Sequence, residues 1–326
     1  MKSREIHLVR RPYGIPVPDD FAVVETVLPD PADGQVLVQN VLMSVDPYMR
    51  PRFAADQALG EALIGGGIGR VAASSNSGFA VGDIVRHGAG MREKFISDGR
   101  GLQALKPEPG LPLSVYMHAL GGTGITAYGG LLEIGRLKDG EQVFVSTAAG
   151  AVGSVVAQIA KIKGCYVVGS TGSDDKARWL KDVVGLDAVI NYKKEDIRRA
   201  LEAATPRGID VYFENVGGEH LDAALPRMNV NGRIPVCGMI STYNGGGEPV
   251  RGLSNIIYRR VTLQGFVASD FGHLQARFVS DMTQWLKEGR LKFQETILDG
   301  FERAPEGLIG LFEGRNAGKM LIRVAD

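Results

Sequence analysis

The sequence predicts an α/β chain in which a β-rich domain, residues 1–117, precedes a doubly wound parallel sheet, residues 118–270, with a closing segment, 271–326, that returns to the first domain. Three observations predict it. Short alternating runs broken by Pro and Gly fill the chain up to about residue 117, apolar strands then alternate with helical stretches, and the chain finishes on an apolar run at 319–324. At 326 residues the chain is too long for one small core, which makes two domains the expectation.

In the first domain the alternating runs lie at 21–27, 35–41, 67–73 and 83–86, a pattern that suits a small barrel or twisted sheets. Beyond residue 118 apolar strands read at 143–146, 166–169, 188–190, 211–214, 234–237 and 261–266. Helices fall between them near 152–162, 174–184, 197–203 and 221–228, as crossover connections in a parallel sheet require. The remainder holds one strongly amphipathic helix at 275–288 before the terminal strand. No internal repeat and no Ser/Pro-rich or single-sign tract interrupts the chain.

Charge and composition exclude several function classes. The 37 basic and 37 acidic side chains cancel without a basic stripe, which argues against nucleic acid and anionic membrane as partners. No apolar run approaches the roughly 18 residues that span a bilayer, and Met1 to His7 lacks the apolar stretch of a signal peptide, so a cytoplasmic protein is expected. The two cysteines, Cys165 and Cys237, stand in apolar strand-like runs without paired spacing, which excludes a disulfide framework and a cysteine-based zinc lobe.

The strand at 143–146 runs through Thr147-Ala148-Ala149-Gly150-Ala151-Val152-Gly153-Ser154 directly into a helix. Backbone N–H groups at such a helix start hold a pyrophosphate favoured by the helix dipole. Gly150 and Gly153 keep the spacing of the last two glycines of G-x-G-x-x-G, while Ala148 takes the first position. About 20 residues on, NAD sites place a carboxylate for the ribose hydroxyls. Here the stretch reads Gly169-Ser170-Thr171-Gly172-Ser173, with Lys176 next to it, so Ser170, Thr171 and Ser173 with the Lys176 charge suit the 2′-phosphate of NADPH better than NADH. Asp174 and Asp175 fall in the first turn of the following helix, where acids are common for dipole reasons alone.

Particular strings narrow the reading: Met43-Ser44-Val45-Asp46-Pro47-Tyr48-Met49-Arg50, Thr126-Ala127-Tyr128, Ala148 to Ser154, Glu214-Asn215-Val216-Gly217-Gly218 and Cys237 to Asn244. With them the chain resembles, over nearly its whole length, the alkenal/prostaglandin reductase branch of the medium-chain dehydrogenase/reductase superfamily, which includes curcumin-reductase-like enzymes. The resemblance implies a Rossmann domain behind a GroES-like barrel and NADPH-dependent reduction of enones and enals. It implies that Gly150, Ala151, Val152, Gly153 and Ser154 meet the pyrophosphate, and Thr171, Ser173, Lys176 and Tyr192 the 2′-phosphate end. Asn215 would meet the ribose, and Cys237, Gly238, Ser241, Tyr243, Phe266, Val267 and Asn316 the nicotinamide half. Zinc-dependent relatives carry ligands where this chain has Ser44 to Tyr48 and Gly65-Gly66-Gly67, so no metal is expected and alcohol dehydrogenation is disfavoured. Met91 stands where many members have tryptophan, and Gly265 to Phe271 lacks aromatics that others place near Ser269, which implies a differently shaped pocket.

Hydride transfer to an enone places negative charge on its carbonyl oxygen, and a preplaced donor must receive that charge. Tyr243 is the first candidate and Tyr48 the second, the alternative being that Tyr243 only packs against cofactor and Tyr48 only fixes its loop. His7, His87, His118, His220 and His273 lack metal spacing and read as structural or surface residues. A quinone reductase of the same superfamily and a non-catalytic NADPH-binding module are the competing readings. The apolar run 261–266, as an open sheet edge, points with the resemblance to a homodimer.

Overall fold

The computed structural model describes residues 1–325. Along residues 1–117 it forms strands β1 (Lys2–Leu8), β2 (Phe21–Val27) and β3 (Val36–Ser44), helix α1 (Met49–Ala55), and strands β4 (Gly67–Ser74), β5 (Ile84–His87), β6 (Lys94–Ser97) and β7 (Gln103–Leu105). There follow α2 (Gly122–Gly129), β8 (Gln142–Val145), α3 (Gly153–Ile162), β9 (Tyr166–Thr171), α4 (Asp174–Trp179), β10 (Ala188–Asn191) and α5 (Ile197–Ala204). Then come β11 (Ile209–Phe213), α6 (Gly218–Ala224), β12 (Met228–Val236), α7 (Ser254–Arg259), β13 (Thr262–Gly265) and α8 (Gln275–Lys287). Strand β14 (Glu295–Asp299), helix α9 (Ala304–Glu313) and strand β15 (Lys319–Arg323) close the chain.

These elements divide into two compact units, one of residues 1–117 with 295–316 and 320 onward, the other of 118–294 with 317–319. In the first unit one sheet runs β14-β15-β3-β4-β5-β7 with β6 also on β3, and β1 pairs with β2 in a separate antiparallel ribbon. The return of the chain is explicit here, because Leu321, Ile322 and Arg323 pair antiparallel with Ser44, Met43 and Leu42. A core of Ile6, Leu8, Met43, Met49, Phe53, Met91, Phe301 and Leu308, all almost fully buried, fills the space beneath.

The second unit is an all-parallel sheet in the order β10-β9-β8-β11-β12-β13. In chain order of its strands this is 3-2-1-4-5-6, the doubly wound arrangement, and the order reverses between β8 and β11. Strand β8 is buried at every position and α3 at residues 153–160, which is why both read as continuous apolar runs. Helix α5 buries only Ile197 and Leu201, one turn apart, and Asp196 caps it by accepting the Arg199 N–H at 2.9 Å. Helix α8 likewise buries Phe278, Met282, Trp285 and Leu286 on one stripe.

Some elements differ from the sequence expectation. The helix expected at 221–228 is α6, which begins at Gly218 and ends at Ala224, because Pro226 lies in the tighter turn that follows and β12 starts at Met228. Helix α2 is absent from the expectation because Gly122, Gly124 and Gly129 give its sequence poor helix propensity. Packing overrides that deficit: a Cβ on Gly124 would lie 2.0 Å from the Ala119 carbonyl oxygen, and one on Gly129 2.3 Å from the Phe271 ring. Strand β1 was likewise unexpected, since its charged residues Lys2, Arg4 and Glu5 mask the alternation.

Candidate active site

The link between β8 and α3 is the turn that carries Gly150 and Gly153. Thr147 opens it in the left-handed region, with φ 51°, an unusual conformation for a residue with a branched side chain. Its carbonyl accepts the Gly150 N–H at 2.9 Å, which closes the turn. The same carbonyl explains Gly153, whose Cβ would lie 2.3 Å from it, so any larger residue would push α3 off the strand. Ala148, in the first fingerprint position, is fully buried, and its methyl group is accommodated by a glycine on the neighbouring strand: a Cβ on Gly169 would sit 2.7 Å from the Ala148 Cβ. The turn is braced from outside by His118, which donates from Nε2 to the Ala151 carbonyl at 3.0 Å, and by the Gly318 N–H on the Ala149 carbonyl at 3.0 Å. Ser154 is fully buried and its hydroxyl has no hydrogen-bond partner among the described residues.

At the end of β9, Ser170 and Thr171 are buried, and Ser173 caps α4 by accepting the Lys176 N–H. The acids of this stretch are engaged elsewhere. Asp174 bonds Asn191 and Lys194, and Asp175 pairs with Arg178. Lys176, half-buried, is held below the usual lysine pKa by desolvation first and then by the ammonium of Lys193. Gly172 lies beside both the Tyr192 hydroxyl and the Lys193 Cε, at 2.9 and 3.3 Å from its would-be Cβ. The Tyr192 ring meets the buried His220 edge-on at 4.9 Å. Two lysines and a phenol thus surround one strand end. Lys193 was missed in the sequence, where it sits 17 residues from Lys176 in a run that reads as an ordinary charged loop.

The strand order reverses beside this turn, and there β8, β11 and β12 end together. Asn215 donates its side-chain amide to the Ser146 carbonyl at 2.7 Å and its backbone N–H to the Ser146 hydroxyl at 2.8 Å. The Ile240 and Ser241 N–H groups bond the Asn215 and Val216 carbonyls at 3.2 and 3.0 Å, lacing the segment after β12 to the loop after β11. Burial first, and the nearby Glu214 second, push the Cys237 thiol up to about 12, so it stays protonated and unreactive. Tyr243 ends the short turn Ile240–Thr242, and its hydroxyl accepts the Met239 N–H at 3.3 Å. The phenol pKa is raised by burial, and its own proton has no acceptor among the described residues. A neutral donor is therefore held in place.

The remaining expected residues lie in both units. The partly buried Phe266 ring packs between Phe213 and Phe271, at 6.0 and 5.5 Å, whereas Val267 is exposed. Tyr48 and Asn316 belong to the first unit, where Tyr48 is half-exposed and its hydroxyl is pushed up to about 12 by partial burial and then the Asp46 carboxylate. Met91 is buried against Gly65 within the first unit's core. His87, bonded to Asn40 and the Ala89 N–H, is pulled down to about 4 by burial, and His7 and His273 pair with Glu5 and Glu133.

The doubly wound sheet and its glycine turn, with a separate β-rich unit built from both chain ends, define a nucleotide-binding oxidoreductase of the medium-chain type. Residues 4–105 match the family described as the N-terminal domain of oxidoreductase, and 151–288 the zinc-binding dehydrogenase family. The chain is 41% identical to the NADPH-dependent curcumin reductase of Escherichia coli, over 99% of this chain and 97% of that one. It is 39% identical to the NADP(+)-dependent 2-alkenal reductase of Nicotiana tabacum, over 100% and 98%. The crystal structure of CurA from Vibrio vulnificus in complex with NADPH superposes with a TM-score of 0.93 at 39% identity, covering 99% of each chain. The chain belongs to the alkenal/prostaglandin reductase branch of the medium-chain dehydrogenase/reductase superfamily.

The zinc in the description of the second matched family does not fit these residues. Among the described residues no group of three or more His, Cys, Asp or Glu side chains could hold a metal ion. The Ser44 hydroxyl bonds Asp46, and a Cβ at Gly67 would strike the His87 ring at 2.8 Å. Elemental analysis of the purified protein is expected to find far less than one zinc per chain, with activity intact after exhaustive chelation. One tightly held zinc per chain contradicts this assignment.

Proposed function

We propose that this chain is an NADPH-dependent, metal-independent reductase of the carbon-carbon double bond in α,β-unsaturated ketones and aldehydes. One observation carries the reading: end-to-end likeness to reductases named for NADPH and, in one case, for 2-alkenals, whose name specifies a double bond conjugated to the carbonyl. Bound NADPH supplies the hydride. The turn from Gly150 to Ser154 lines the pyrophosphate, the Val152 and Gly153 N–H groups facing it with the α3 dipole behind them. Lys176, Lys193 and Tyr192 receive the 2′-phosphate, and Asn215 faces the ribose. The substrate accepts hydride at its β-carbon while the conjugated π electrons move onto the carbonyl oxygen. The Tyr243 hydroxyl donates to that oxygen as charge develops, and the α-carbon then takes a proton from water. Tyr48 is the second candidate donor.

The protein works in the cytoplasm as a homodimer. Two free cysteines suit a reducing compartment. Strand β13 forms one edge of the parallel sheet with all four residues exposed, and Ile257 and Tyr258 of the preceding helix are 74% and 76% exposed. An open edge flanked by apolar side chains invites a second copy of itself.

NADPH is expected to bind much more tightly than NADH. Replacing Lys176 or Lys193 by alanine should raise the Michaelis constant for NADPH by about tenfold, on the scale of a lost charged hydrogen bond, and leave that for NADH nearly unchanged. Equal affinity of the unmodified protein for both nucleotides contradicts the phosphate assignment.

Tyr243→Phe removes the donor and keeps the ring. Turnover of a weakly activated enone should fall roughly 10- to 1000-fold, about 1.4–4 kcal/mol of barrier, with little change in NADPH affinity. A Phe variant that turns over at the unmodified rate transfers the role to Tyr48. Light scattering at micromolar concentration should return twice the chain mass, and a monomer mass excludes the dimer.

A further inference from the structure

The motif Glu214 to Gly218 contributes Asn215 to the proposed site, yet its first residue is the more buried. Glu214 has no exposed surface and lies just past the end of β11, next to the strand reversal. One carboxyl oxygen, Oε1, accepts the Ser146 hydroxyl at 3.0 Å and the Val216 N–H at 2.6 Å, while Oε2 is buried without a hydrogen bond of normal geometry among the described residues, the buried Tyr212 hydroxyl and the Gly217 N–H being close enough to favour the charged form against burial. Its backbone N–H bonds the Pro235 carbonyl at 3.0 Å, and its carbonyl accepts the Cys237 N–H at 2.9 Å and the Gly238 N–H at 3.3 Å. Ser146 in turn accepts the Asn215 N–H at 2.8 Å. One residue therefore touches the ends of β8, β11 and β12, from which the segments bearing Asn215, Ser241 and Tyr243 depart.

A carboxyl in such a place is an expensive choice for packing alone. Burial is the largest influence and raises its pKa, and among the described residues no cation stands beside it to favour the charged form. An apolar side chain of similar size would fill the same space without a stranded oxygen, and often as stably. What an apolar residue would lack is the two-pronged acceptance at Oε1, which fixes Ser146 on one side of the reversal and Val216 on the other.

We propose that Glu214 is a positioning residue for hydride transfer: its buried carboxyl, through Ser146 and Val216, locks the β8 and β11 ends together while its backbone ties in the β12 end, the arrangement that aligns Asn215 and the Tyr243 segment with the nicotinamide half of the cofactor. This rests on the NADPH-dependent reading above. It assigns no contact between Glu214 and either reactant.

The test uses the full-length protein with NADPH and a 2-alkenal. Glu214→Leu, Glu214→Gln and Ser146→Ala are compared for turnover, NADPH dissociation constant and the primary isotope effect with deuterated NADPH. Because misplacement by about 1 Å can lower a rate about 100-fold, Glu214→Leu should lose turnover on that scale and show a larger isotope effect, with NADPH affinity changed less than about threefold. Glu214→Gln keeps an oxygen acceptor and should recover most of the lost turnover. A purely structural residue would alter the melting temperature and leave the isotope effect alone. A folded Leu variant with unmodified turnover and isotope effect overturns the proposal, as does a Gln variant as impaired as the Leu variant. Should the Leu variant not fold, Ser146→Ala decides: about a tenfold loss with a raised isotope effect supports the proposal, on the scale of one lost hydrogen bond to a buried acid, and no change overturns it. The emission of bound NADPH reports the nicotinamide environment without turnover. A protein that reduces no enone therefore fails the functional reading alone, while emission unaltered by Glu214→Leu fails this one.

Discussion

The reversal of strand order between β8 and β11 is the constraint on which the second unit depends. Two neighbouring parallel strands send their connections to opposite faces of the sheet there, leaving a crevice at their carboxyl ends that no crossover covers. The crevice must be built from backbone held at close quarters. Gly153 sits against the Thr147 carbonyl, Asn215 against Ser146, and Glu214 beneath both strand ends. Loss of the β8–β11 pairing would remove the Asn215 and Glu214 contacts to Ser146 at once.

The two halves of the proposed cofactor site rest on different physics. At the end of β9 the determinants are ammonium groups near solvent, whose attraction for an anion is long-ranged and weakened by salt. Around Ser146, Glu214 and Tyr243 the determinants are short hydrogen bonds in a low-dielectric interior, directional and insensitive to ionic strength. Binding and chemistry are thus separable within one sheet edge.

Legibility in the sequence followed the range of the interactions involved. Strands β8, β9 and β10 and helices α3 and α8 were readable because their burial is regular and local, and the turn from Thr147 to Ser154 because its glycines are four or fewer residues apart. Helix α2 was hidden, since its glycines only make sense beside Ala119 and Phe271, the latter more than 140 residues away. Among residues of the proposed site, Lys176 could be found from its distance to the fingerprint, whereas Lys193 acquires meaning only when β9 and β10 lie side by side, and Glu214 only when β8, β11 and β12 do. The resemblance gives Phe266 a place at the nicotinamide, and the sequence alone does not show that its ring also lies edge-on to Phe213 and tilted against Phe271.

The alanine at the first fingerprint position has a consequence for how this sequence can change. Its methyl group occupies the space that a side chain at Gly169 would need, on a strand 21 residues later. The two positions therefore share one methyl-sized volume and are epistatic. With glycine at 148 an alanine at 169 has only the end of the Leu186 side chain to displace, at 2.8 Å, whereas with alanine at 148 it meets both, and passage between the two states goes through the glycine-glycine intermediate, where a small void opens beneath the turn. A fingerprint that looks degenerate by its own spacing is complete when the neighbouring strand is counted as part of it.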